Sequence, residues 1–294
     1  IKAVGGGGGR GMKRVDDLAD LPAAMDMASA EAGAAFGDAR VYLERYVARG
    51  RHVEVQVLGD GEGRVIHLGE RDCSVQRRYQ KLIEETPAPR LDETLRAALH
   101  AAAVSFASRL AYRGAGTVEF LVDVDRGEFY FLEMNARIQV EHPVTEAVTG
   151  VDLVEEQIAI AAGQGLRLTQ EQVAPRGWAI ECRINAEDPE ADFRPSPGRV
   201  VEAQWPGGEG LRVDTHIVSG AMVPPFYDSL MGKIIAHGSD RPSALRRLRE
   251  ALASTRLLGI ATNLAFQSTL LADDDFAAGG VDTAWLSRRA GRVS

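Results

Sequence analysis

The chain has 294 residues, 45% hydrophobic and 26% charged, with a net charge of -8 and two cysteines, which allows one large or two moderate globular domains. The negative balance argues against a non-specific nucleic-acid binder, and no apolar run reaches the roughly 18 residues that a membrane span needs. Cys73 and Cys182 are too few for a disulfide framework and Ile1-Lys2-Ala3-Val4 lacks the layout of a signal peptide, so the expected compartment is a reducing cytoplasm.

The strand-like opening leads into five glycines, Gly5 to Gly9, followed by Arg10-Gly11. Such a loop has no side chains to keep its backbone N–H groups from an anion and can close over phosphates. It lacks both the Gly-Lys-Ser/Thr of a P-loop and the spaced glycines of a dinucleotide fingerprint, and a flexible linker is the competing reading. Leu21 to Phe36 is helical in character and Val41 to Val47 reads as a strand. His52 to Leu58 alternates valines with His52, Glu54 and Gln56, and with the Gly59-Asp60-Gly61 turn and Val65 to Leu68 it predicts a half-buried hairpin. Arg71 to Lys81 is polar and basic; facing phosphate, it would supply cations. Only four lysines stand beside thirty arginines, and Lys2 and Lys81 both fall inside motifs, where a compact ammonium suits point-charge contact with phosphate. Asp92 caps a predicted helix to about Tyr112, with Leu95, Leu99, Val104 and Leu110 as its buried stripe.

Gly116 to Val122 and Glu128 to Glu133 flank Asp123-Val124-Asp125-Arg126-Gly127 and read as a hairpin. A turn centred near Arg126 sets Glu119 opposite Glu133, about 5 Å apart, where two like charges are destabilising unless a cation intervenes. A one-residue slip would undo that pairing. With Asn135 the pair offers hard oxygen ligands without Cys or His, favouring magnesium or manganese over zinc. From Glu133 to Glu141 the odd positions Glu133, Asn135, Arg137, Gln139 and Glu141 are polar and the even ones apolar. An extended segment puts them on one face, a set that suits metal-bound phosphate and an anionic substrate better than a solvated edge strand. Pro143 starts a predicted helix through Ala162, strands resume at Trp178 to Asn185, and helices recur near Arg241 to Thr255 and Asn263 to Ala272. The polar stretch Gln164 to Arg176 is a plausible boundary.

Four segments in order, Gly5 to Gly11, Glu70-Arg71-Asp72-Cys73-Ser74, Glu133 to Glu146 and Glu181 to Asp188, resemble the biotin carboxylase family, and the resemblance covers essentially the whole chain. It implies an α+β chain: an ATP-grasp fold, with a partial lid and phosphate loop over 1–46 and its remainder over 47–174, followed by the biotin carboxylase C-terminal domain over 175–294. It implies a ligase that uses ATP and bicarbonate to carboxylate carrier-bound biotin through carboxyphosphate, within an acyl-CoA, pyruvate or related carboxylase. The alternatives are another ATP-grasp ligase forming an acyl phosphate, or an inactive fragment serving only assembly; Arg137 to His142 and Glu181 to Asp188 favour the first reading. Family members begin with a further α/β domain and the start of the lid, so the resemblance implies a truncated chain that lacks full activity alone.

By the same resemblance, Lys2, Gly8 and Gly9 hold ATP phosphates, Glu44, Arg45, Tyr46 and Val47 meet the adenine, and His52 and Gln76 the ribose. Glu119, Glu133 and Asn135 hold Mg2+ or Mn2+. Lys81, Arg137, Gln139 and Val140 surround bicarbonate or carboxyphosphate, Glu141 deprotonates bicarbonate, Arg183 binds biotin or phosphate, and Arg137 stabilises the enolate-like oxygen of biotin. Implied partners are a biotin carboxyl carrier domain or protein, a carboxyltransferase component and a second copy in a homodimer. Tyr79 departs from the histidine expected at its position; it can donate a hydrogen bond but cannot become cationic.

Overall fold

The structure, a computed structural model, describes residues 1–6 and 11–290. Gly8 and Gly9 lie outside the described residues. Contacts divide the chain into two units, 1–48 with 77–80, and 49–76 with the chain from 81 onward.

In the smaller unit, strand β1 (Lys2–Ala3) pairs antiparallel with β2 (Val41–Tyr42), and helix α1 (Leu21–Phe36) packs on both. The helix starts with a proline in its first turn and stops at Gly37, whose φ of +72° is the left-handed cap that glycine adopts without strain. The strand expected over Val41 to Val47 is only two residues long. Its partner β1 offers just two residues to pair with, and Glu44, Arg45 and Tyr46 are exposed.

The larger unit is organised by strands β3 (Gly50–Asp60), β4 (Val65–Arg77), β5 (Gln80–Thr86), β6 (Arg113–Asp123), β7 (Glu128–Asn135) and β8 (Trp178–Asn185). Beyond β8 come three short antiparallel pairs: β9 (Glu187–Asp188) with β10 (Arg194–Pro195), β11 (Gly198–Arg199) with β14 (Met222–Val223), and β12 (Glu202–Gln204) with β16 (Arg256–Leu258). The longer β13 (Leu211–Thr215) and β15 (Leu230–Gly238) join the main sheet, which runs β13-β15-β8-β5-β4-β3-β6-β7.

Period-two alternation explains the sheet's two faces. On β3 and β6, Val53, Val55, Val57, Val118, Phe120 and Val122 form one apolar cluster with helix α2 (Glu93–Arg109). Asp92 caps α2 by accepting from the backbone N–H groups of Thr94 and Leu95. The buried stripe is Leu99, Ala103 and Ala107, with Leu95 at its edge, rather than Val104 and Leu110. The four-residue spacing selects these positions, and Leu110, past the helix end, is 58% exposed. The β3–β4 hairpin is not half-buried as its alternation suggests, because Glu54 and Gln56, on the face away from α2, are also completely buried.

The single helix expected over residues 143–162 is two, α3 (His142–Thr149) and α4 (Leu153–Ala161). Gly150, at φ +70°, ends the first, and the Asp152 side chain starts the second by accepting from the Glu155 N–H. On β8 and β15, Ile180, Cys182, Ile184, Ile234 and Ala236 pack with helices α5 (Arg241–Ser254) and α6 (Leu264–Ala272). Ala179 and Ile235 pack instead with Val144 and Val148 of α3. Glu181 and Arg183, in phase with Ala179, therefore share the α3 face. No helix among the described residues is long and apolar enough to cross a membrane.

Leu99 is fully buried between α2 and the sheet. Leu99→Ala should lower unfolding free energy by about 2–5 kcal/mol, read as a shift of the urea midpoint at unchanged slope; a shift worth under about 1 kcal/mol would show that the site collapses around the deletion.

Candidate active site

Strand register sets a row of charges across four strands. Arg71 on β4 pairs with Glu54 on β3, Glu54 with Glu119 on β6, and Glu119 with Glu133 on β7. The expected opposition of Glu119 and Glu133 is borne out, by a route the sequence did not reveal. The pairs from Asp123↔Glu128 to Phe120↔Phe131 centre the turn between Asp125 and Arg126, which would set Leu132 opposite Glu119; a β-bulge there restores Glu133 to that place.

Arg71 is 0% exposed and spends all five of its N–H groups inside the protein. Nε donates to Glu54 Oε1 (2.7 Å), Nη1 to Gln56 Oε1 (2.8 Å) and Thr145 Oγ1 (2.9 Å), and Nη2 to Thr117 Oγ1 (3.2 Å) and Gln139 Oε1 (3.0 Å). Lys81 lies beside it in the network. Its ammonium donates to Glu54 Oε2 (2.6 Å), Glu141 Oε1 (2.6 Å) and Glu119 Oε1 (3.3 Å). The second oxygen of Glu141 accepts from Arg183 Nη2 at 2.9 Å, so this carboxylate, 2% exposed, is held between two cations. The Val140 carbonyl accepts from Lys233 Nζ at 2.6 Å.

These contacts set the protonation states. Burial pushes the Glu54 carboxyl up, but Lys81 and Arg71 outweigh it and hold the group at about 2. Burial likewise raises Glu119, and His52, Lys81 and Gln139 bring it down to about 2. Burial disfavours the Lys81 ammonium, yet Glu54, Glu141 and Glu119 keep it charged well past its ordinary range. The site thus presents ionised carboxylates and fixed cations together at neutral pH.

The expected metal set converges. Asn135 Nδ2 lies 3.1 Å from Glu119 Oε1 and 3.2 Å from Glu133 Oε1, while Gln139 Nε2 donates to Glu119 Oε1 at 2.8 Å. Two carboxylates bridged by an amide suit a hard divalent cation, although the set is not free of histidine as expected, since ligand atoms of His52, Glu54 and Glu119 lie within 4.8 Å of one another. His52 Nε2 lies 3.0 Å from Glu119 Oε2, and Gln76 Nε2 2.8 Å from His52 Nδ1.

The expectation that Glu133 to Glu141 forms one extended face holds only to Asn135, where β7 ends. The chain then turns toward the start of α3, which has Glu141 as its N-cap and Pro143 in its first turn. Gln139 and Glu141 become buried, whereas Arg137 stays exposed at the rim, its Nη2 donating to Asn135 Oδ1 at 2.9 Å. In the smaller unit, Lys2 Nζ donates to Glu44 Oε1 at 3.1 Å, the Tyr46 ring lies under the Arg14 guanidinium at 4.4 Å, and Val47 is half-buried. Arg45 is exposed.

Glu54, Arg71, Thr145 and Lys233 escaped selection from sequence. Glu54 stood at a polar position of an alternating strand and Lys233 was one of four lysines, so each carried a weak signal. Arg71 and Thr145 stood inside segments singled out by resemblance, but nothing local marked Arg71 as a buried hub or Thr145 as its partner.

Glu54→Gln should destabilise the fold at neutral pH, since Arg71 and Lys81 lose a counter-charge. A carboxyl lowered from 4.5 to about 2 contributes stability above its unfolded value that disappears as pH falls through the folded one. The gap in urea midpoint between wild type and variant should therefore narrow from pH 4.5 to about 2; a constant gap would show that the ionised group contributes nothing specific.

Residues 1–169 match the model of the carbamoyl-phosphate synthase L chain ATP binding domain, and residues 181–288 that of the biotin carboxylase C-terminal domain. A biotin carboxylase of Nostoc sp. is 54% identical over 97% of this chain and 64% of its own length. Among solved structures, a Campylobacter jejuni biotin carboxylase with β,γ-ATP is 46% identical, covering 98% of this chain and 64% of that one, with a TM-score of 0.92. The biotin carboxylase domain dimer of Hydrogenobacter thermophilus 2-oxoglutarate carboxylase, with MgADP, ADP and bicarbonate, is 44% identical with the same coverage and a TM-score of 0.92. This chain spans about 64% of the length of these relatives. The fold class expected from sequence, an α+β ATP-grasp fold followed by a C-terminal domain, stands.

Proposed function

The chain belongs to the biotin carboxylase family, and from that premise we propose that its site carboxylates carrier-bound biotin with ATP and bicarbonate, through carboxyphosphate, within an acyl-CoA, pyruvate or related carboxylase. The observation that carries the reading is Glu141, a buried carboxylate held between Lys81 and Arg183 and joined through Lys81 to Glu119.

Bicarbonate must lose a proton before its oxygen attacks the γ-phosphorus of ATP. Glu141 accepts that proton, and Lys81 and Arg183, already converging on its two oxygens, hold the resulting anion. Glu119, Glu133 and Asn135 hold Mg2+ or Mn2+, which offsets the phosphate charge when bound. The attack forms carboxyphosphate and releases ADP. Carboxyphosphate splits into carbon dioxide and phosphate, the phosphate takes the biotin N–H proton, and the nitrogen attacks the carbon dioxide while Arg137 stabilises the enolate-like oxygen. An exposed guanidinium at the rim suits a substrate that arrives on a carrier. Gln139 and Val140 line the bicarbonate side; Lys233, fixed on the Val140 carbonyl, holds that backbone in place. Lys2, Gly8 and Gly9 take the phosphates, Glu44 to Val47 the adenine, and His52 and Gln76 the ribose. The partners are a biotin carboxyl carrier, a carboxyltransferase component and a second copy of the chain.

The test is ATP cleavage by the full-length protein with bicarbonate and biotin withheld in turn. Cleavage that needs bicarbonate but forms no carboxybiotin would point instead to an acyl-phosphate ligase. Glu141→Gln should suppress bicarbonate-dependent cleavage by about 10² to 10⁴, whereas Arg137→Ala should harm biotin carboxylation more than cleavage. Equal losses in both assays, in folded variants, would count against that division of labour. Glu133→Gln should weaken Mn2+ binding in the presence of a non-hydrolysable ATP analogue, measured by electron paramagnetic resonance; unchanged affinity would remove Glu133 from the metal set.

A further inference from the structure

Through Nε, Arg183 also reaches a second pair of carboxyl groups that the reaction above does not use. Glu84 on β5 and Glu181 on β8 are directly opposed across the strand ladder, and both are 0% exposed. Glu84 Oε1 accepts from Arg183 Nε at 2.6 Å. Its Oε2 and both oxygens of Glu181 have no hydrogen-bond partner among the described residues. Two bare carboxylates so placed would repel one another, and three unsatisfied oxygens in the interior would carry a heavy desolvation cost.

We propose that Glu84 and Glu181 share one proton, and that the pair acts as a positioning device for Arg183. One O–H shared across this directly opposed pair, whose side chains lie within reach of each other, would give two of the partnerless oxygens a partner, leave Glu84 Oε1 free to accept from Arg183, and reduce the pair to a single negative charge that the guanidinium balances. A second negative charge there would draw the guanidinium back from Glu141, toward which its Nη2 now reaches at 2.9 Å. The groups that act on the pair from surrounding elements are Lys81 on β5, Arg183 on β8, Lys233 on β15 and Glu141 at the start of α3. Lys233 is itself 3.3 Å from Asp214 on β13. Electrostatics agree with the geometry. Burial lifts Glu84 to about 7 against the opposing pull of Arg183, and burial with the charge of Glu84 lifts Glu181 well above the ordinary carboxylate range.

The proton assignment stands on the pair's own geometry; only its consequence for Arg183 rests on the proposed carboxylation chemistry. The experiment is carbon-13 NMR of the chain labelled at glutamate Cδ, titrated across neutral pH, with the Arg183 Nε–H resonance followed in parallel. The expected result is a protonated glutamate that persists well above the ordinary range, with the Arg183 resonance shifting at the same midpoint. Glu181→Gln should abolish that signal, because Arg183 then keeps Glu84 ionised, while Glu181→Asp should retain it. A wild-type spectrum without a protonated glutamate at neutral pH overturns the proposal, as does a Glu181→Gln spectrum that keeps the signal. Should Glu181→Gln fail to fold, co-titration of Arg183 in the wild type decides: a shared midpoint supports the pair and an unresponsive Arg183 refutes it. A protonated pair in a protein without bicarbonate-dependent ATP cleavage would keep this inference and sink the functional reading.

Discussion

Everything in the larger unit's polar layer depends on one guanidinium placed where there is no water to solvate it. Arg71 takes a full charge into the interior, and such a charge survives there only if its geometry is satisfied completely. Its five bonds reach two strands, the segment after β7 and the second turn's threonine on α3. A planar fork with fixed directions fixes those elements relative to one another; an ammonium, with three donors on a flexible stem, could not. The orientation of Gln139, and through it the approach of Glu119 to Asn135, follows from that constraint.

Lys81 has the opposite character. It gathers three carboxylates at once, and a compact ammonium can exchange partners without breaking a directional fork. Arg71 therefore serves as a fixed frame and Lys81 as the adaptable centre that an incoming anion can engage. The network's stability and its reactivity reside in different cations. Removing a partner from either leaves an uncompensated buried charge, which is why the arrangement is costly to alter one residue at a time.

Much of the local structure was legible in the sequence because local chemistry determines it: the Asp92 cap, the limits of α1, the strand from Trp178, and the two carboxylates of the acidic hairpin. Near the site two features misled. The helix after Pro143 looked continuous because Gly150-Val151-Asp152 interrupts apolar periodicity only briefly, and the reversal there is a matter of one glycine's φ. The odd-position pattern from Glu133 to Glu141 suggested a single strand, but its last members reach the site through a turn set by α3. Glu54 and Arg71 were hidden for a different reason. A buried ion pair has no local signature, since the partners lie seventeen residues apart and meet only through strand register.

The scarcity of lysine has a practical side. Of the four in the whole chain, the Lys81 and Lys233 side chains are only 13% and 9% exposed and already donate to protein oxygens. Lys2 and Lys13, at 30% and 28%, both belong to the smaller unit. Of these four lysines, coupling to a fluorophore, a cross-linker or a sensor surface would therefore favour Lys2 and Lys13 and leave the Lys81 charge network unmodified.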